Sequence, residues 1–564
     1  MCGIFSILNN VYEDKRIKDN FMKGKGRGPE NSQMIKYVTG GKNLSLFGFH
    51  RLAINGYKDS ASNQPFDINN IILICNGEIY NWKELYQIID VEPNTKSDCE
   101  IIIHLYLRFG IEQTLNMLDG VFAFILLDKR NDSIYISRDP YGVRPLFYKR
   151  ILSYQAHPYI RDPIYLFSSE MKTICNLGKN DTIYQFKPGS YSYFSLTNDN
   201  FFEKRRDKLY FKQRNIPRSF KTNITEEDID TACLSINKTL TNAVLKRIDN
   251  TDRDIACLLS GGLDSSLIAA LVQKYSNKQI TTWSIGMEGS EDIKYARKVA
   301  EFIGSDHHEY ILSENEFLSN IENVIYDIES YDTTSVRASI GNWLISKKIS
   351  EDSNCKVVFN GDGSDEVCGG YMYFHLAPDA VEFDKECKRL LNNIHFFDVL
   401  RSDRSISPHG LEARTPFLDR DFVNNYLSIN PNLRHHSKNN QCEKYLLRRA
   451  FARDNLLPNE VLWRTKEAFS DGVSSQKKSW FETLQEYISD NIFKNNENIV
   501  DTQKKYYTHN IPKTQEQLYY RNVFDSHYKG CEKVIPYFWM PKYTNATDAS
   551  ARTLAIYKAK MEAQ

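Results

Sequence analysis

Apolar and polar positions follow a short period over the first 200 residues of the chain and a longer one after it. Ser45–Ile54, Ile71–Cys75, Val121–Leu127, Ser133–Ser137 and Tyr165–Ser168 are short apolar or alternating runs and predict strands. One helix interrupts them, with Ser97 as N-cap, Glu100 closing a capping box, Ile101 to Leu107 as its body and Gly110 as its stop. Between about 200 and 222 the chain turns polar and basic (Glu203-Lys204-Arg205-Arg206-Asp207, then Lys212 to Arg218), which predicts a linker. Beyond Thr225, helix alternates with short apolar strand: Ile255–Leu259, Ser265–Lys274, Ile280–Ile285, Tyr295–Gly304 and Lys356–Phe359. That alternation predicts a parallel sheet with helices on its faces. The expected organisation is a domain over 2–205, a linker over 206–224, a second domain over 225–530 and a loosely held Ala/Lys/Thr-rich tail over 531–564. No internal repeat is evident.

Composition narrows the class. A length of 564 residues exceeds what one hydrophobic core usually serves. Lys+Arg and Asp+Glu both number 72, which argues against a broad polyanion-binding surface and so against a nucleic-acid partner. The eleven Cys show neither a C-x-x-C pair nor zinc-ligand spacing, and read as reduced thiols in a cytoplasmic protein. No apolar run approaches the ~18 residues a membrane span needs, and no basic region followed by a long apolar stretch marks a signal peptide.

The chemistry begins at Met1-Cys2-Gly3. Removal of the initiator methionine, which a small second residue favours, leaves a thiol and a free α-amine on Cys2. Such an amine has a pKa near ~8, so it can accept the thiol proton and give a nucleophilic thiolate. Asn76-Gly77-Glu78 follows the predicted strand Ile71–Cys75; the Asn76 amide and the Gly77 N–H could donate to one oxyanion, although an isolated Asn-Gly is equally a hairpin turn. Arg51 could pair with a carboxylate in a forked geometry, or be a solvated surface arginine. Asp98, in the first turn of the capped helix, compensates the helix dipole or holds a cationic amine.

Together these residues resemble the class II glutamine amidotransferase domain. The resemblance covers most of residues 2–200 and rests on Cys2-Gly3-Ile4, Arg27-Gly28-Pro29-Glu30, His50-Arg51-Leu52-Ala53-Ile54, Asn76-Gly77-Glu78-Ile79-Tyr80-Asn81, Leu118-Asp119-Gly120-Val121-Phe122-Ala123-Phe124 and Arg138-Asp139-Pro140-Tyr141-Gly142-Val143-Arg144-Pro145-Leu146. It implies an N-terminal-nucleophile αββα sandwich and glutamine hydrolysis through a thioester on Cys2. It further implies a glutamine pocket of Arg51, Leu52, Ala53, Ile54, Asn55, Glu78 and Asp98, with Asn76 and Gly77 as oxyanion hole. Pro29-Glu30 stands where Pro-Asp is commoner.

In the second half, Ser260-Gly261-Gly262-Leu263-Asp264-Ser265-Ser266 joins a predicted strand to a predicted helix. Small residues let successive N–H groups face an anion, and the helix N-terminus favours it. Asp264 could hold Mg²⁺ on the phosphates, or merely cap the helix. No G-x-x-x-x-G-K-[ST] occurs, which disfavours a Walker-type NTPase. His307 and His308 read as a loop after a helix, with a metal site conceivable.

The heptad resembles the pyrophosphate loop of ATP pyrophosphatases. Joined to the first half, it resembles the glutamine-hydrolysing asparagine synthetases, to about residue 480. Further matching blocks are Tyr331–Ser339, Phe359–Glu366, Gly410–Asp419 and Trp463–Val473. The resemblance implies an α/β ATP-pyrophosphatase domain that joins aspartate to AMP, with ammonia displacing the AMP. Leu258, Ser260, Gly261, Gly262, Asp264, Ser265, Ile285, Asn360 and Gly361 would bind ATP. Asp264 and Asp365 would hold Mg²⁺, Lys466 would meet the phosphates, and Thr334, Ser335 and Arg337 would form the aspartate pocket. Asp362 would take the proton shed by the incoming amine. The family usually has Glu at that position, so the carboxylate is one methylene shorter here; Asn360 for Ser and Ser364 for Ala alter the same loop. A sealed passage for neutral ammonia must join the sites, and nothing in the sequence identifies its lining. Relatives often form dimers, so a homodimer is expected by analogy. Three alternatives stay open: a β-lactam-synthetase-like acceptor, adenylation that runs on free ammonia, and a glutamine- or nucleotide-sensing protein without catalysis.

Overall fold

The computed structural model describes all residues except 42, 153–162, 179–181, 214–215, 440, 467–471, 475–477 and 558–564. The first half contains twelve strands among the described residues, in two six-stranded antiparallel sheets. In chain order they are β1 (Gly3–Asn10), β2 (Asn31–Thr39), β3 (Asn43–Arg51), β4 (Phe66–Ile68), β5 (Ile71–Ile79) and β6 (Gly120–Asp128). They continue with β7 (Ser133–Arg138), β8 (Phe147–Ile151), β9 (Ile164–Ser168), β10 (Ile183–Gln185), β11 (Ser190–Leu196) and β12 (Phe202–Leu209). One sheet runs β10-β8-β9-β1-β3-β2 and the other β12-β11-β7-β6-β5-β4.

The alternation of side chains explains the sandwich. Ile72 and Ile74 of β5 and Ala123, Ile125 and Leu127 of β6 face Ile4, Leu8, Phe47 and Phe49 of the other sheet. Their neighbours Leu73, Cys75, Phe122, Phe124 and Leu126 pack outward, against α2 (Trp82–Ile89) and α3 (Ile101–Met117). Phe5 and Ile7 of β1 pack outward with Ile17 and Phe21 of α1 (Asp14–Met22). Strands buried on both faces read as continuous apolar runs, and the result is the expected αββα sandwich.

Three local expectations change. Asn76, Gly77 and Glu78 lie inside β5, opposite Ala123, Phe122 and Val121, not in a turn after it. Gly110 (φ 74°, ψ 172°) is non-helical and stops the first helical segment as expected; a second segment runs on from the kink to Met117. Ser97 does cap Cys99 N–H, but Glu100 reaches back to Asn94 and Thr95, so no capping box closes. The basic run at 203–207 belongs to β12, an exposed edge strand; charge on an edge deters further pairing and mimics a linker in composition.

The second half is built on a five-stranded parallel sheet of order β15-β14-β13-β16-β17. These are β13 (Ile255–Leu258), β14 (Thr281–Gly286), β15 (Asp306–Ile311), β16 (Val357–Phe359) and β17 (Glu412–Arg414). The helices that matter for the site are α4 (Glu226–Ile248), α5 (Leu263–Tyr275), α6 (Glu291–Ile303), α7 (Thr333–Asp352), α8 (Asp398–Ile406) and α9 (Gln515–Tyr528). The strand order reverses at β13, and in such sheets ligands bind beyond the carboxyl ends of the strands at that point. His307 and His308 lie in β15, not in a loop; His307 bonds Thr282 and Ser284, and His308 stacks on Trp283 at 4.2 Å. The segment expected to be a loose tail is docked as far as Tyr557. Trp539 N–H donates to Asp332 at 2.7 Å, Asp548 pairs with Arg337, and Leu554 and Tyr557 are buried. A few large anchors suffice in otherwise polar sequence. No described helix is long and apolar enough to cross a membrane.

Candidate active sites

The first centre gathers at the start of β1 and the ends of β3 and β5. Cys2 donates its thiol hydrogen to Leu52 C=O at 3.4 Å. Met1 precedes it, fully buried, with its α-amine on Leu411 C=O at 2.7 Å. In this form burial pushes the thiol up to about 12, and burial pulls the Met1 amine down to about 5. The thiol is therefore protonated while Met1 is attached.

Arg51 is buried and donates to Asn63 Oδ1 at 2.8 Å and to the carbonyls of Asp59, Asn55 and Gly56. All four partners are neutral, and no carboxylate of the described residues pairs with it. A buried guanidinium held this way is ready for an incoming carboxylate. Asp98 Oδ2 accepts Ile79 N–H at 2.6 Å, and burial pushes its carboxyl up to about 6, with Glu412 adding to the rise. Glu78 Oε2 accepts from Asn55 at 2.9 Å and Asn250 at 2.7 Å, and lies 3.2 Å from Arg414. Asn76 Nδ2 donates to Ser169 Oγ at 3.4 Å, and the same hydroxyl accepts Ile4 N–H at 3.0 Å. At Gly77 a Cβ would sit 2.5 Å from Val121 C=O, which explains the glycine. Leu52, Ala53, Ile54 and Asn55 form the loop after β3, and Ala53 N–H is bonded by Glu30. Every predicted residue of this centre is thus brought together. Asn250, Glu412 and Arg414 of the second half also enter it, and no sequence spacing announces them.

The second centre is a cavity of about 170 Å³ at the carboxyl end of β13 and β16. Leu258, Ser260, Gly262, Asp264, Ser265, Ile285, Asn360, Gly361, Asp362, Asp365 and Lys466 line it, as does Thr334. Gly261 stands behind the loop at φ +68°, where a Cβ would strike Tyr295, and its carbonyl accepts from Arg464. Gly361 is required because a Cβ would lie 2.7 Å from Asp264.

Two lysines close on the two aspartates. Lys444 Nζ lies 2.5 Å from both Asp264 and Asp365, and Lys466 Nζ lies 2.9 Å from Asp365 and 3.6 Å from Asp264. Burial alone would raise the Asp365 carboxyl, but these lysines outweigh it and hold it well below the usual carboxylate range. Lys444 is absent from the sequence reading, since it belongs to no motif and is delivered by tertiary packing. Across the cavity Arg401 donates to Asp362 Oδ1 at 2.7 Å and to Asp398 at 3.3 Å. Asp362 Oδ2 and Thr334 Oγ1 are buried without a hydrogen-bond partner among the described residues.

The expected aspartate pocket divides. Thr334 shares the cavity face of α7 with Ala338 and Asn342, one and two turns on. Ser335 is spent on the N-cap, its N–H and hydroxyl both on Asp332 at 2.9 Å. Arg337 points away, gripped by Glu516 and by Asp548 at 2.8 Å. Arg337 lies one helical turn from Thr334, and it is drawn onto acidic partners from α9 and the C-terminal segment that no local motif records. In the Trp463–Val473 block, Glu467 to Asp471 lie outside the described residues.

Comparison with known proteins matches a family to each half of the chain. Residues 1–205 match the glutamine amidotransferase domain, and residues 235–386 and 375–554 match asparagine synthase. The chain is 42% identical to an asparagine synthetase (glutamine-hydrolyzing) of Gallus gallus over 589 residues, covering all of both chains. It is 41% identical to that of Homo sapiens over 580 residues, again covering all of both. The chain belongs to the asparagine synthase family. A solved glutamine phosphoribosylpyrophosphate amidotransferase from B. subtilis, complexed with ADP and GMP, aligns at TM-score 0.31 and 15% identity, over 56% of this chain and 91% of that one, too slight a likeness to argue from.

Proposed function

We propose that this chain converts L-aspartate, ATP and L-glutamine to L-asparagine, AMP, pyrophosphate and L-glutamate. One observation carries the reading. A single chain sets a thiol centre with an unpaired buried Arg51 against a phosphate-loop cavity, and residues of the second half complete the first.

At the first centre, loss of Met1 places the α-amine on Cys2 itself. The amine takes the thiol proton, and the thiolate adds to the side-chain carbonyl of glutamine. Arg51 holds the substrate carboxylate, Asp98 and Glu78 its ammonium, and Asn76 and Gly77 N–H meet the oxyanion; such donors are each worth about 10²–10³ in rate. Ammonia leaves, and water cleaves the thioester to glutamate. At the second centre the aspartate side-chain carboxylate attacks the α-phosphorus of ATP. A P–O bond forms as the bond to pyrophosphate breaks. Ammonia then attacks the acyl carbon, AMP leaves, and Asp362 accepts the proton shed by nitrogen. Leu258 and Ile285 flank the base, and Lys466 and Lys444 meet the phosphates.

Asp264 and Asp365 suit Mg²⁺, which commonly takes one or two carboxylates and completes its shell with water and substrate phosphate. Among the described residues no cluster of three or more His, Cys, Asp or Glu could hold a metal by itself, which accords with an ion brought in with nucleotide. When bound it screens charge on the phosphates. Thr334, with Arg401 and Asp398 opposite, forms the aspartate pocket, in place of Ser335 and Arg337. A cytoplasmic site of action is supported by eleven free thiols. A homodimer is proposed by analogy alone.

The test is nitrogen-donor exchange. Amide-labelled glutamine should place its label in asparagine, with pyrophosphate release dependent on aspartate. Cys2→Ala should abolish synthesis from glutamine and retain synthesis from ammonia. Glutamine-dependent synthesis that survives Cys2→Ala, or retention of Met1 in the active protein, overturns the reading.

A further inference from the structure

Four consecutive residues of α8 divide between the two centres. A helix turns about 100° per residue, so positions 401 to 404 point around nearly a full circle. Arg401 binds Asp362 in the nucleotide cavity, and Ser402 Oγ accepts Asn360 Nδ2 at 2.8 Å on the same loop. The next two residues face the glutaminase centre. Asp403 takes both ends of the Arg27 guanidinium, at 2.6 and 3.1 Å, and Arg27 Nε donates to the carbonyl of Cys2 at 2.8 Å. Arg404 donates to the carbonyl of Ser169 at 2.9 Å and pairs with Glu329 at 2.9 Å. Ser169 in turn carries Asn76 and Ile4 on its hydroxyl. Arg27 and Arg404 are both 0% exposed.

We propose that Asp403 and Arg404 are positioning residues for glutamine hydrolysis. Asp403 acts through Arg27 on the main chain of the nucleophile, and Arg404 acts through Ser169 on the oxyanion donor Asn76. The inference rests on the proposed role of Cys2. Neither residue is placed to touch glutamine, whose carboxylate and ammonium are met by Arg51 and Asp98, groups anchored by Asn63, Gly56 and Ile79. A forked Arg–carboxylate contact fixes direction as well as distance, so it aims Nε at the Cys2 carbonyl. Displacing a reacting group by about 1 Å costs roughly 10²-fold in rate. The loss therefore belongs in kcat and in thiol reactivity, with glutamine affinity preserved. A role confined to holding the two halves together would lower stability and leave that split unmoved.

The test uses the full-length enzyme with Asp403→Asn, Asp403→Glu and Arg404→Lys, and Cys2→Ala as reference. Glutamate release, ammonia-dependent asparagine formation and the rate of Cys2 alkylation by a chloroketone analogue of glutamine are measured. Asp403→Asn is expected to lower glutaminase kcat by about tenfold or more and alkylation in proportion. KM for glutamine and ammonia-dependent synthesis should stay within about twofold. Asp403→Glu should recover part of the loss, and Arg404→Lys, which keeps its charge toward Glu329, should give a smaller fall of the same kind. Glutaminase kcat within about twofold of the parent in both Asp403→Asn and Arg404→Lys overturns the inference, and so does equal loss of both activities in both. If Cys2→Ala keeps its glutaminase, the role of Cys2 itself fails; if Cys2→Ala is dead while Asp403→Asn is normal, only this inference fails.

Discussion

At the glutaminase centre the cation proposed to bind substrate, Arg51, is held open by four neutral acceptors. At the nucleotide centre the cations are collapsed onto the anions they sit beside, Lys444 and Lys466 on Asp264 and Asp365. Glutamine arrives as a zwitterion and brings no net charge, so its socket is built in advance and needs no exchange of partners. ATP arrives as a polyanion, so the lysines can leave the aspartates for the phosphates. One site is pre-shaped by hydrogen bonds; the other is spring-loaded by ion pairs. Salt should slow the capture of ATP more than that of glutamine, because it screens the attraction of a polyanion through solvent, whereas the buried pairs themselves (Lys444 is 1% exposed) are screened little.

The strongest way to break the comparison is at the ion pairs. Asp365→Asn removes one of the two carboxylates and should lower synthesis from both glutamine and ammonia by about 10²-fold or more, the scale of several kcal/mol of charge stabilisation. Glutamate release without synthesis should stay within about threefold. Lys444→Met should also cut synthesis from both donors and move its acid limb. Lys444 and Lys466 together hold the Asp365 carboxyl low; with one gone, its pKa rises. The carboxylate then protonates at higher pH, so activity is lost earlier as pH falls. A pH–rate profile that does not move rules out the collapsed pair as an electrostatic unit.

Glutamine binding offers the next test, on the other side of the comparison. Asp98 sits at about 6 because burial, reinforced by Glu412, disfavours its charge. Only the carboxylate attracts an ammonium, so kcat/KM for glutamine should fall as pH drops through about 6, by roughly tenfold per pH unit. Asp98→Asn should be weak throughout and lose that limb. Synthesis from ammonia, referred to the concentration of free NH₃, should show no such limb from Asp98.

Legibility followed range. Strands buried on both faces, such as β5 and β6, were readable over Ile71–Cys75 and Val121–Leu127, where every position is apolar. Gly361 and Gly77 sat in motifs whose spacing carries their reason, the approach of one backbone to a neighbour. β12 was unreadable because an edge strand is protected by the same charges that mark a linker. Lys444, Arg401 and Arg414 were unreadable because each reaches its partner across more than 35 positions of sequence, and no local pattern records that. Arg337 belongs with them: it stands one helical turn from Thr334, but its partners Glu516 and Asp548 are 179 and 211 positions away. Arg337→Lys should lower the thermal midpoint, since a buried ion pair broken on one side costs about 3–5 kcal/mol at most. KM for aspartate should remain within about twofold. A selective rise in that KM would return Arg337 to the substrate pocket.

The smallest effect falls on the β16 loop. Asp362 ends one methylene short of the glutamate that the sequence resemblance leads one to expect there, and Arg401 already holds its Oδ1 while Oδ2 is buried without a hydrogen-bond partner among the described residues. The carboxylate is therefore anchored on one side and short on the other. Lengthening it keeps the Arg401 contact within reach, because Arg401 also has Asp398 to share, and carries the free oxygen toward the incoming amine. General-base efficiency depends on reaching hydrogen-bond distance, so a shortfall of one carbon–carbon bond weakens the transfer without abolishing it. Asp362→Glu should raise asparagine formation from both nitrogen donors by about two- to fivefold, with glutaminase unchanged. A large loss would mean that the loop, through Asn360 and Ser364, is already fitted to the shorter side chain and that the proton leaves by another group.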